Sequence, residues 1–412
     1  MKIFRDSSPL PSEFPAARGT EKCSRRPRLL FYVNVDWYFW SHRSHLAHAA
    51  QAAGFDVFVA TRPGPKQRQI EAAGFHLLPV NTPRGMLNPR TDAAVLRQLT
   101  DLFRTHAPDI VHNVTVRNSL LGTWAARRAD VPQIVNAFAG LGYLFTGSGL
   151  RTRIARHAIS QVMRTTFNRD NIHVILQNAE DFEDLVRARM IRPKQGCLIR
   201  GAGVCPHTFR PVKAANDRPI VLLAARMLYS KGIAHFVETA RRFRTAGNNA
   251  RFILVGRTDP DNPDHIPLQQ LQEWQESGAI EWWGSRDDMP AVIGQADIVC
   301  LPTWYGEGLP KVLLEAAACG RPIVTTDIRG CHDICRHEVN GLLIPPENPA
   351  ALAAAITRLL TDDEFRRKAG EAGRQIVLNE FAQTHVAART MDLYRSLLPA
   401  QLSLRADSRR AA

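Results

Sequence analysis

Two glutamates, Glu307 and Glu315, stand eight positions apart in the segment EGLPKVLLE, with a Gly-Leu-Pro break between them. On one continuous helix that spacing is a rotation of about 800°, so the two side chains would diverge by roughly 80° and could not easily share a ligand group. Pro310 suits the first position of a helix, which places Glu307 in a loop and Glu315 in the second helical turn. The sequence therefore predicts one carboxylate on each side of a helix start.

The start of that helix is itself a predicted binding site. Backbone N–H groups near Gly308, Leu309 and Lys311 should point out of the helix, and with the helix dipole they attract an anion such as a diphosphate. Glu307 and Glu315 could then bind hydroxyl groups on the two sides of the anion, which is the pattern of a nucleotide sugar. The alternative is that Glu315 is a solvated helix residue, and this segment alone favours neither.

A second segment, ARMLYSKGI, carries two cations after a predicted strand. Arg226 and Lys231 lie on one loop just before a glycine and the next helix, where both can face the same cleft. Such a pair suits the negative charge of a leaving diphosphate. The alternative is that both are solvated surface side chains.

Short apolar segments alternate with helical patterns in both halves of the chain, which is typical of parallel sheets covered by helices. A polar, Gly- and Pro-rich linker near 204–218 separates the two series. The economical fold is α/β, with two Rossmann-like domains facing each other across a cleft. The predicted strands are 29–35, 56–61, 76–80, 109–114, 133–138 and 173–177 before the linker, and 219–225, 251–256, 280–284, 297–302 and 322–326 after it.

Composition excludes several classes of protein. The 412 residues are 45% hydrophobic and 22% charged, without an apolar run of the ~18–20 residues that span a membrane. The first residues contain no apolar stretch typical of a secretory signal, so we expect a cytoplasmic protein. Seven scattered cysteines do not resemble a disulfide framework. The segment CHDICRH (331–337) has no second Cys/His pair at zinc-ligand spacing, which disfavours a metal site.

The net charge of +14 is unevenly distributed. Residues 1–215 carry 30 basic and 15 acidic side chains, whereas the remainder carries 23 and 24. The excess predicts an anionic partner for the first half: nucleic acid, anionic lipid or a phosphorylated acceptor. Nucleic acid is disfavoured, because no interleaved aromatic residues and no known nucleic-acid-binding module accompany the charge.

A helix predicted near 150–168 combines charge with an apolar stripe. Leu150, Ile154, Ala158 and Val162 recur every four residues, with Ile159 beside them, and arginines flank them at Arg151, Arg153, Arg156 and Arg164. One interpretation is a core helix with a solvated basic face. The other is a surface helix that meets anionic lipid.

Three segments make the chain resemble a known family. ARMLYSKGI, PTWYGEGLPKVLLEAAACGRPIVTT and VNGLLIPPENPAALAAAI are similar to retaining glycosyltransferases of family 4, which have the GT-B fold. The resemblance is specific over 219–360 and looser over 29–210. NAFAGLGYLFT and YGEGLPKVLLEAAACGRP further resemble the bacterial subgroup that extends undecaprenyl-diphosphate-linked glycans.

The resemblance implies roles for the residues above. Arg226 and Lys231 should hold the donor diphosphate and Glu307 the sugar hydroxyls, and these three form the implied catalytic set. The implied donor-binding residues are Gly284 near the nucleobase, Gly308, Leu309 and Pro310 beside the sugar and phosphate, and Glu315 at the ribose. Such enzymes need no metal or other cofactor. The implied reaction moves a hexose or N-acetylhexosamine from a nucleotide sugar, with UDP favoured, to a polyprenyl-diphosphate-linked acceptor in O-antigen, capsule or exopolysaccharide assembly.

The chain departs from the family pattern at several places. Where many members have two glycines after the first strand, this chain has VDWYFWSHR (35–43), and we expect Trp37, Tyr38 and Arg43 on the acceptor or membrane side. Ala139 replaces a frequent histidine, and Gly306 replaces a frequent arginine.

The resemblance also implies a division of the chain. We expect a disordered polar tail over 1–27, an acceptor-binding domain over 28–205, a nucleotide-sugar-binding domain over 206–381, and over 382–412 a helix returning toward the first domain, with a tail. The expected location is the cytoplasmic face of the inner membrane, held peripherally. Two alternatives remain open: a sugar-nucleotide epimerase, or a catalytically idle nucleotide-sugar-binding subunit.

Overall fold

The computed structural model describes residues 25–82, 88–138, 140–141, 150–212, 216–399 and 402. Two wholly parallel sheets organise these residues, one in each half of the chain. Helices cover both faces of each sheet, which is why the strands consist of nearly continuous apolar runs. In the first strand, for example, Leu29 to Val33 are completely buried.

The N-terminal sheet has seven strands in the order β3-β2-β1-β4-β5-β6-β7. Its strands are β1 Arg28–Val35, β2 Asp56–Arg62, β3 His76–Pro79, β4 Ile110–Val114, β5 Gln133–Ala137, β6 Ile172–Leu176 and β7 Gly196–Leu198. The helices between them are α1 Asp36–His42, α2 Ser44–Ala52, α3 Gln67–Ala72, α4 Pro89–His106, α5 Val116–Arg128, α6 Leu150–Phe167 and α7 Ala179–Arg187.

The C-terminal sheet has six strands in the order β10-β9-β8-β11-β12-β13. Its strands are β8 Ile220–Ala224, β9 Arg251–Val255, β10 Glu281–Trp282, β11 Ile298–Leu301, β12 Ile323–Thr326 and β13 Gly341–Ile344. The helices are α8 Ile233–Thr245, α9 Leu268–Glu276, α10 Met289–Gln295, α11 Lys311–Ala318, α12 Cys331–Ile334, α13 Pro349–Thr361, α14 Asp363–Ile376 and α15 Gln383–Leu397.

The α/β architecture with two Rossmann-like sheets agrees with the prediction, and most predicted strands match within one or two residues. Strands β7 and β13 and the short helix α1 were not predicted from the sequence. The predicted strand over 280–284 is reduced to two residues.

The last helix, α15, leaves the second sheet and packs on the first domain. Val386, Met391 and Tyr394 share a core cluster with Leu29 and Phe31 of β1. The hydroxyl of Tyr394 lies 2.5 Å from Nδ1 of His112 in β4, and both side chains are buried. His112 is therefore a packed strand histidine. Among the described residues, no helix combines the length and the apolar character needed to cross a bilayer.

Candidate functional site

The two loops singled out by the sequence meet at the carboxyl ends of neighbouring strands. Lys231 closes the short turn after β8, and Glu307 lies in the loop after β11, which pairs directly with β8. The ammonium group of Lys231 forms an ion pair with the carboxylate of Glu307. Their side chains are only 15% and 17% exposed, so the pair sits at the partly enclosed floor of the site.

Hydrogen bonds hold these two loops in register. The hydroxyl of Thr303, completely buried, donates to the backbone oxygen of Ser230 at 2.9 Å. The indole N–H of Trp304 donates to the backbone oxygen of Tyr229 at 3.1 Å. These hydrogen bonds fix the backbone of both loops. The positions of Lys231 and Glu307 therefore do not depend on their flexible side chains alone.

Helix α11 begins beside this ion pair. Its first two bonded N–H groups, from Leu313 and Leu314, donate to the oxygen of Pro310, which occupies the N-cap. Within the described part of the chain, the backbone N–H groups of Gly308, Leu309 and Lys311 donate no hydrogen bond. They are thus available to an anion at the positive end of the helix.

Glu315 is not the solvated helix residue of the alternative interpretation. It is only 6% exposed and forms an ion pair with Lys311, four residues earlier on α11. The predicted arrangement of one carboxylate before the helix and one inside it is therefore present. Each of the two carboxylates has its own lysine.

Arg226 has a partner that the sequence analysis did not identify. Its guanidinium donates to the carboxylate of Asp259 at 2.9 Å, and Asp259 is largely buried. Asp259 follows β9, next to β8 in the sheet, and belongs to the run TDPDNPD (258–264). The acidic run after a strand was the available signal. Arg226 and Lys231 share one loop but have separate acidic partners.

Gly284 lies at the carboxyl end of β10, on the same edge. Its φ is +66°, and its backbone oxygen accepts a hydrogen bond of 2.7 Å from the N–H of Gly256. A Cβ built on Gly284 would meet no atom within 4 Å, so the space in front of it is open. That position is compatible with the predicted nucleobase end of the site.

The first domain presents α1 to this edge. Trp37 carries the guanidinium of Arg257 over its ring at 4.5 Å, a contact between the domains. Tyr38 stacks on His42 with ring centroids 4.1 Å apart. Arg43 is 3% exposed and lies between α1 and α2. The assignment of Trp37, Tyr38 and Arg43 to the acceptor or membrane side stays a prediction.

Two glycines allow backbone to approach the loop after β11. A Cβ on Gly140 would lie 2.6 Å from the nitrogen of Gly308, and one on Gly330 would lie 2.3 Å from its oxygen. Both have positive φ, of +116° and +79°, which disfavours other residues. Gly140 belongs to the first domain, so the domains touch at the anion site itself. Ala139 lies outside the described residues.

A second contact joins the domains through ion pairs that the sequence analysis missed. Nε of Arg329, after β12, lies 2.7 Å from Glu180, and its Nη1 lies 2.5 Å from Asp184 and 3.6 Å from Asp181. The three carboxylates all lie on α7 of the first domain. His332 adds a contact of 3.3 Å to Glu180.

The described part of the basic helix α6 buries only part of its predicted stripe. Ile159 packs against the core, which Met163 and Phe167 enter, whereas Ala158 and Val162 are exposed, Val162 by 38%. The side chains of residues 150–156, which include Arg151, Arg153 and Arg156, lie outside the described part. Helix α6 therefore packs on the core, as in the first interpretation, with Ala158 and Val162 outside its core face.

The segment CHDICRH does not form a metal site. Cys331 and Cys335 are buried in the core, His332 contacts Asp327 and Glu180, and Nδ1 of His337 accepts from the N–H of Leu343. Among the described residues there is no group of three or more His, Cys, Asp or Glu side chains that could hold an ion.

Comparisons with known proteins agree with the two-domain fold. A family model described as Glycosyl transferases group 1 matches residues 218–362, and one described as Glycosyl transferase 4-like matches residues 28–175. The solved sucrose-phosphate synthase of Thermosynechococcus elongatus superposes with a TM-score of 0.74 at 22% identity, covering 90% of this chain and 99% of that one.

Two curated proteins are similar almost from end to end. The N,N'-diacetylbacillosaminyl-diphospho-undecaprenol alpha-1,3-N-acetylgalactosaminyltransferase of Campylobacter jejuni is 26% identical over 89% of this chain and 98% of its own length. The putative glycosyltransferase EpsD of Bacillus subtilis is 25% identical over 90% of this chain and 97% of its own.

Proposed function

We propose that this chain, which belongs to the group 1 glycosyltransferases and has the GT-B fold, transfers a hexose or an N-acetylhexosamine from a nucleotide sugar to a polyprenyl-diphosphate-linked glycan. The donor is a UDP sugar, and the anomeric configuration is retained, as in family 4. The product is a bacterial surface glycan: O-antigen, capsule or exopolysaccharide. The sugar-nucleotide epimerase alternative is excluded, because both domains match glycosyltransferase models.

The end-to-end similarity to the Campylobacter jejuni enzyme is the observation that carries the acceptor class. That enzyme's acceptor is a diphospho-undecaprenol glycan, and the similarity extends over both domains of this chain. The donor site supports the same reaction, because two lysine–carboxylate pairs flank the unbonded N–H groups at the start of α11.

The reaction needs no nucleophile from the protein. The acceptor hydroxyl forms a bond to the anomeric carbon on the face from which the nucleotide departs, while the bond from that carbon to the diphosphate oxygen breaks. The departing phosphate oxygen takes the hydroxyl proton. Lys231, Arg226 and the N–H groups of Gly308 and Leu309 stabilise the negative charge that develops on the diphosphate. Glu307 orients the sugar through its hydroxyls, and Glu315 binds the ribose.

The same cations make the reaction metal-independent in this proposal. Two side-chain cations and a helix start supply the positive charge that Mg²⁺ supplies in other transferases. Turnover should therefore persist in excess EDTA. Loss of turnover on chelation, with recovery on adding Mg²⁺ or Mn²⁺, would contradict this assignment.

The enzyme works at the cytoplasmic face of the inner membrane, bound peripherally. Two observations support that location: the excess positive charge lies in residues 1–215, and Val162 on α6 is exposed beside basic residues. An exposed apolar side chain among cations suits the boundary between lipid headgroups and acyl chains.

A screen of radiolabelled nucleotide sugars with an undecaprenyl-diphosphate monosaccharide tests the function. We expect one UDP sugar to be transferred into the lipid phase, and NMR of the product should show retained anomeric configuration. Binding of a nucleotide sugar without transfer to any lipid-linked acceptor would identify the idle binding subunit instead.

A further inference from the structure

Arg43 is a buried cation without a carboxylate partner. It lies between α1 and α2 and is 3% exposed. Its Nη1 donates to the backbone oxygen of His42 at 3.0 Å, and its Nε is buried without a hydrogen-bond partner. No carboxylate of the described residues lies within ion-pair distance of it. An arginine stays charged in proteins, so this burial costs stability unless an anion compensates it.

The groups around Arg43 are histidines that do not compensate its charge. Burial, together with the charge of Arg43, lowers the pKa of His112 and His45, the latter to about 3. Burial, the Lys311 ammonium and Arg43 lower the pKa of His42. All three rings are therefore neutral at pH 7. The Nε2 atoms of His45 and His112 are also buried without a hydrogen-bond partner.

Helix α1, which ends next to Arg43, faces the second domain. The guanidinium of Arg257 lies over the Trp37 ring of α1 at 4.5 Å, and Gly140 of the first domain approaches the backbone of Gly308. Lys311, at the start of α11 in the second domain, forms its ion pair with Glu315. Both domains thus carry cations near the cleft: Lys231 and Lys311 on the second domain and Arg43 on the first.

We propose that Arg43, with His45 beside it, binds the diphosphate of the lipid-linked acceptor. In the proposed function, Lys231 and the N–H groups at the start of α11 in the second domain already bind the donor diphosphate. An additional buried cation on the opposite wall requires a second anion, and a polyprenyl-diphosphate sugar carries one next to the sugar that accepts. The identity of the ligand rests on the proposed function. The presence of an anion site at Arg43 does not.

The test compares two acceptors on the variant Arg43→Met, which keeps an unbranched side chain but removes the charge. The acceptors carry the same sugar, one on a polyprenyl diphosphate and one on an uncharged alkyl chain. We expect the KM for the diphosphate acceptor to rise about 30-fold or more, since removing a buried charged partner is among the costliest changes in recognition. The KM for the alkyl acceptor and for the donor should change less than twofold.

Thermal stability separates this role from a structural one. Because Arg43 is held without compensation, the Tm of Arg43→Met should equal or exceed that of the wild type. Arg43→Lys keeps the charge and should recover part of the diphosphate-acceptor KM. Arg68→Gln, which removes an exposed arginine of α3, is the matched control and should leave all KM values unchanged.

A binding measurement keeps the anion site testable even if no lipid acceptor is used. In a Lys231→Ala background, which weakens the donor site, inorganic pyrophosphate should still raise the Tm, and adding Arg43→Met should abolish that rise. A lowered Tm together with equal KM losses for both acceptors would make Arg43 structural. If Arg43→Met raised the KM for the donor alone, the site would belong to the donor diphosphate. If Arg43→Met left the pyrophosphate-induced rise in Tm unchanged, Arg43 would not form an anion site.

Discussion

At the scale of single residues, the proposed donor site consists of cations that form ion pairs with carboxylates in the unliganded chain. Lys231 is 15% exposed and bonded to Glu307, whereas Arg226 is 44% exposed and bonded to Asp259. A diphosphate can take over part of each cation's interaction, which releases Glu307 toward the sugar hydroxyls. The less exposed lysine should therefore contribute more to stabilising the leaving group.

Replacing Lys231 or Arg226 by Ala should lower kcat by about 10²–10³-fold, because each removes a positive charge placed where negative charge develops. The larger loss should belong to Lys231, and the KM for the acceptor should change little. Steady-state kinetics with saturating donor would measure both effects. Arg241→Ala, an exposed arginine on α8, is the control. Near-normal turnover in the double variant would remove both residues from the mechanism.

The buried histidines predict how stability depends on pH. The pKa of His45 is about 3 in the folded chain, far below its ordinary value near 6.5. The unfolded chain therefore binds more protons below pH 6.5, so stability falls as pH falls through 6.5 and the loss continues down to pH 3. Between pH 7.5 and 5.5 this residue alone should cost about 1 kcal/mol of unfolding free energy.

Urea unfolding at the two pH values would measure that difference in the wild type and in His45→Gln. The variant should lose about 1 kcal/mol less on acidification, because Gln does not titrate. His207→Gln removes an exposed histidine and serves as the control. Equal pH dependence in His45→Gln and the wild type would show that His45 is not held neutral.

The residues that could be predicted from the sequence depend on local geometry, whereas those that could not depend on tertiary contacts. Glu307, Glu315, Arg226 and Lys231 were visible because they flank strand ends and a helix start, whose geometry is local. The burial of Arg43 was not predicted, because arginine is nearly always exposed unless paired, and nothing local to VDWYFWSHR indicates that this side chain is buried. The partners of Arg226 and Arg329 are distant in sequence, and only the tertiary structure brings them together.

At the scale of elements, the strands were the most predictable feature. Segments such as 29–35 are apolar on both faces, so their burial follows from composition. The short strands β7, β10 and β13 have two to four residues, too few for a clear pattern. On α6 the helical period was recognised, but the core face consists of Ile159, Met163 and Phe167, so Ala158 and Val162 of the predicted stripe stay exposed.

The exposed Ala158 and Val162 make α6 the element to test for membrane binding. Replacing Arg151, Arg153 and Arg156 by Gln should weaken binding to vesicles rich in anionic lipid, since each basic residue near such a surface contributes about 1 kcal/mol. Vesicle cosedimentation at rising salt would measure it, and binding should decrease as the Debye length shrinks. The KM for a lipid-linked acceptor should rise more than that for a soluble analogue, with donor affinity unchanged.

A charge-matched control for that experiment exists on the other domain. Replacing Arg241, Arg242 and Arg244 of α8 by Gln removes the same charge from the donor side and should leave vesicle binding nearly intact. Equal loss of vesicle binding in both triple variants would show that net charge alone determines the binding. Wild-type binding in the α6 variant would make the helix purely structural.

At the scale of the whole molecule, the two domains meet on both sides of the anion site. Gly140 touches the Gly308 backbone, and Arg329 reaches the carboxylates of α7. The α15 helix adds a third connection, since it packs Tyr394 against His112. The first contact lies at the proposed donor site, whereas the Arg329 contact lies outside it. The Arg329 ion pairs can therefore bias domain closure without touching a substrate.

Replacing Arg329 by Gln should favour an open arrangement of the domains. The variant removes the cation that Glu180, Asp181 and Asp184 share across the domain interface, so the attraction between the domains is reduced. Arg187 still pairs with Asp184, and His332 still contacts Glu180. Because Arg329 is 34% exposed, solvent screening limits the effect to about 1–2 kcal/mol, a 5–30-fold shift in the ratio of open to closed molecules. Small-angle X-ray scattering should show a larger radius of gyration without donor.

Saturating donor should restore the wild-type radius of gyration, because a ligand that contacts both walls binds the closed form more tightly. The KM values for donor and acceptor should both rise, while kcat at saturation stays close to the wild type. Arg358→Gln is the control, since its ion pair with Glu338 lies within the second domain and should not affect closure. If Arg329→Gln leaves both the radius of gyration and the KM values unchanged, the α7 contact does not govern closure, and Gly140 and α15 alone set the domain arrangement.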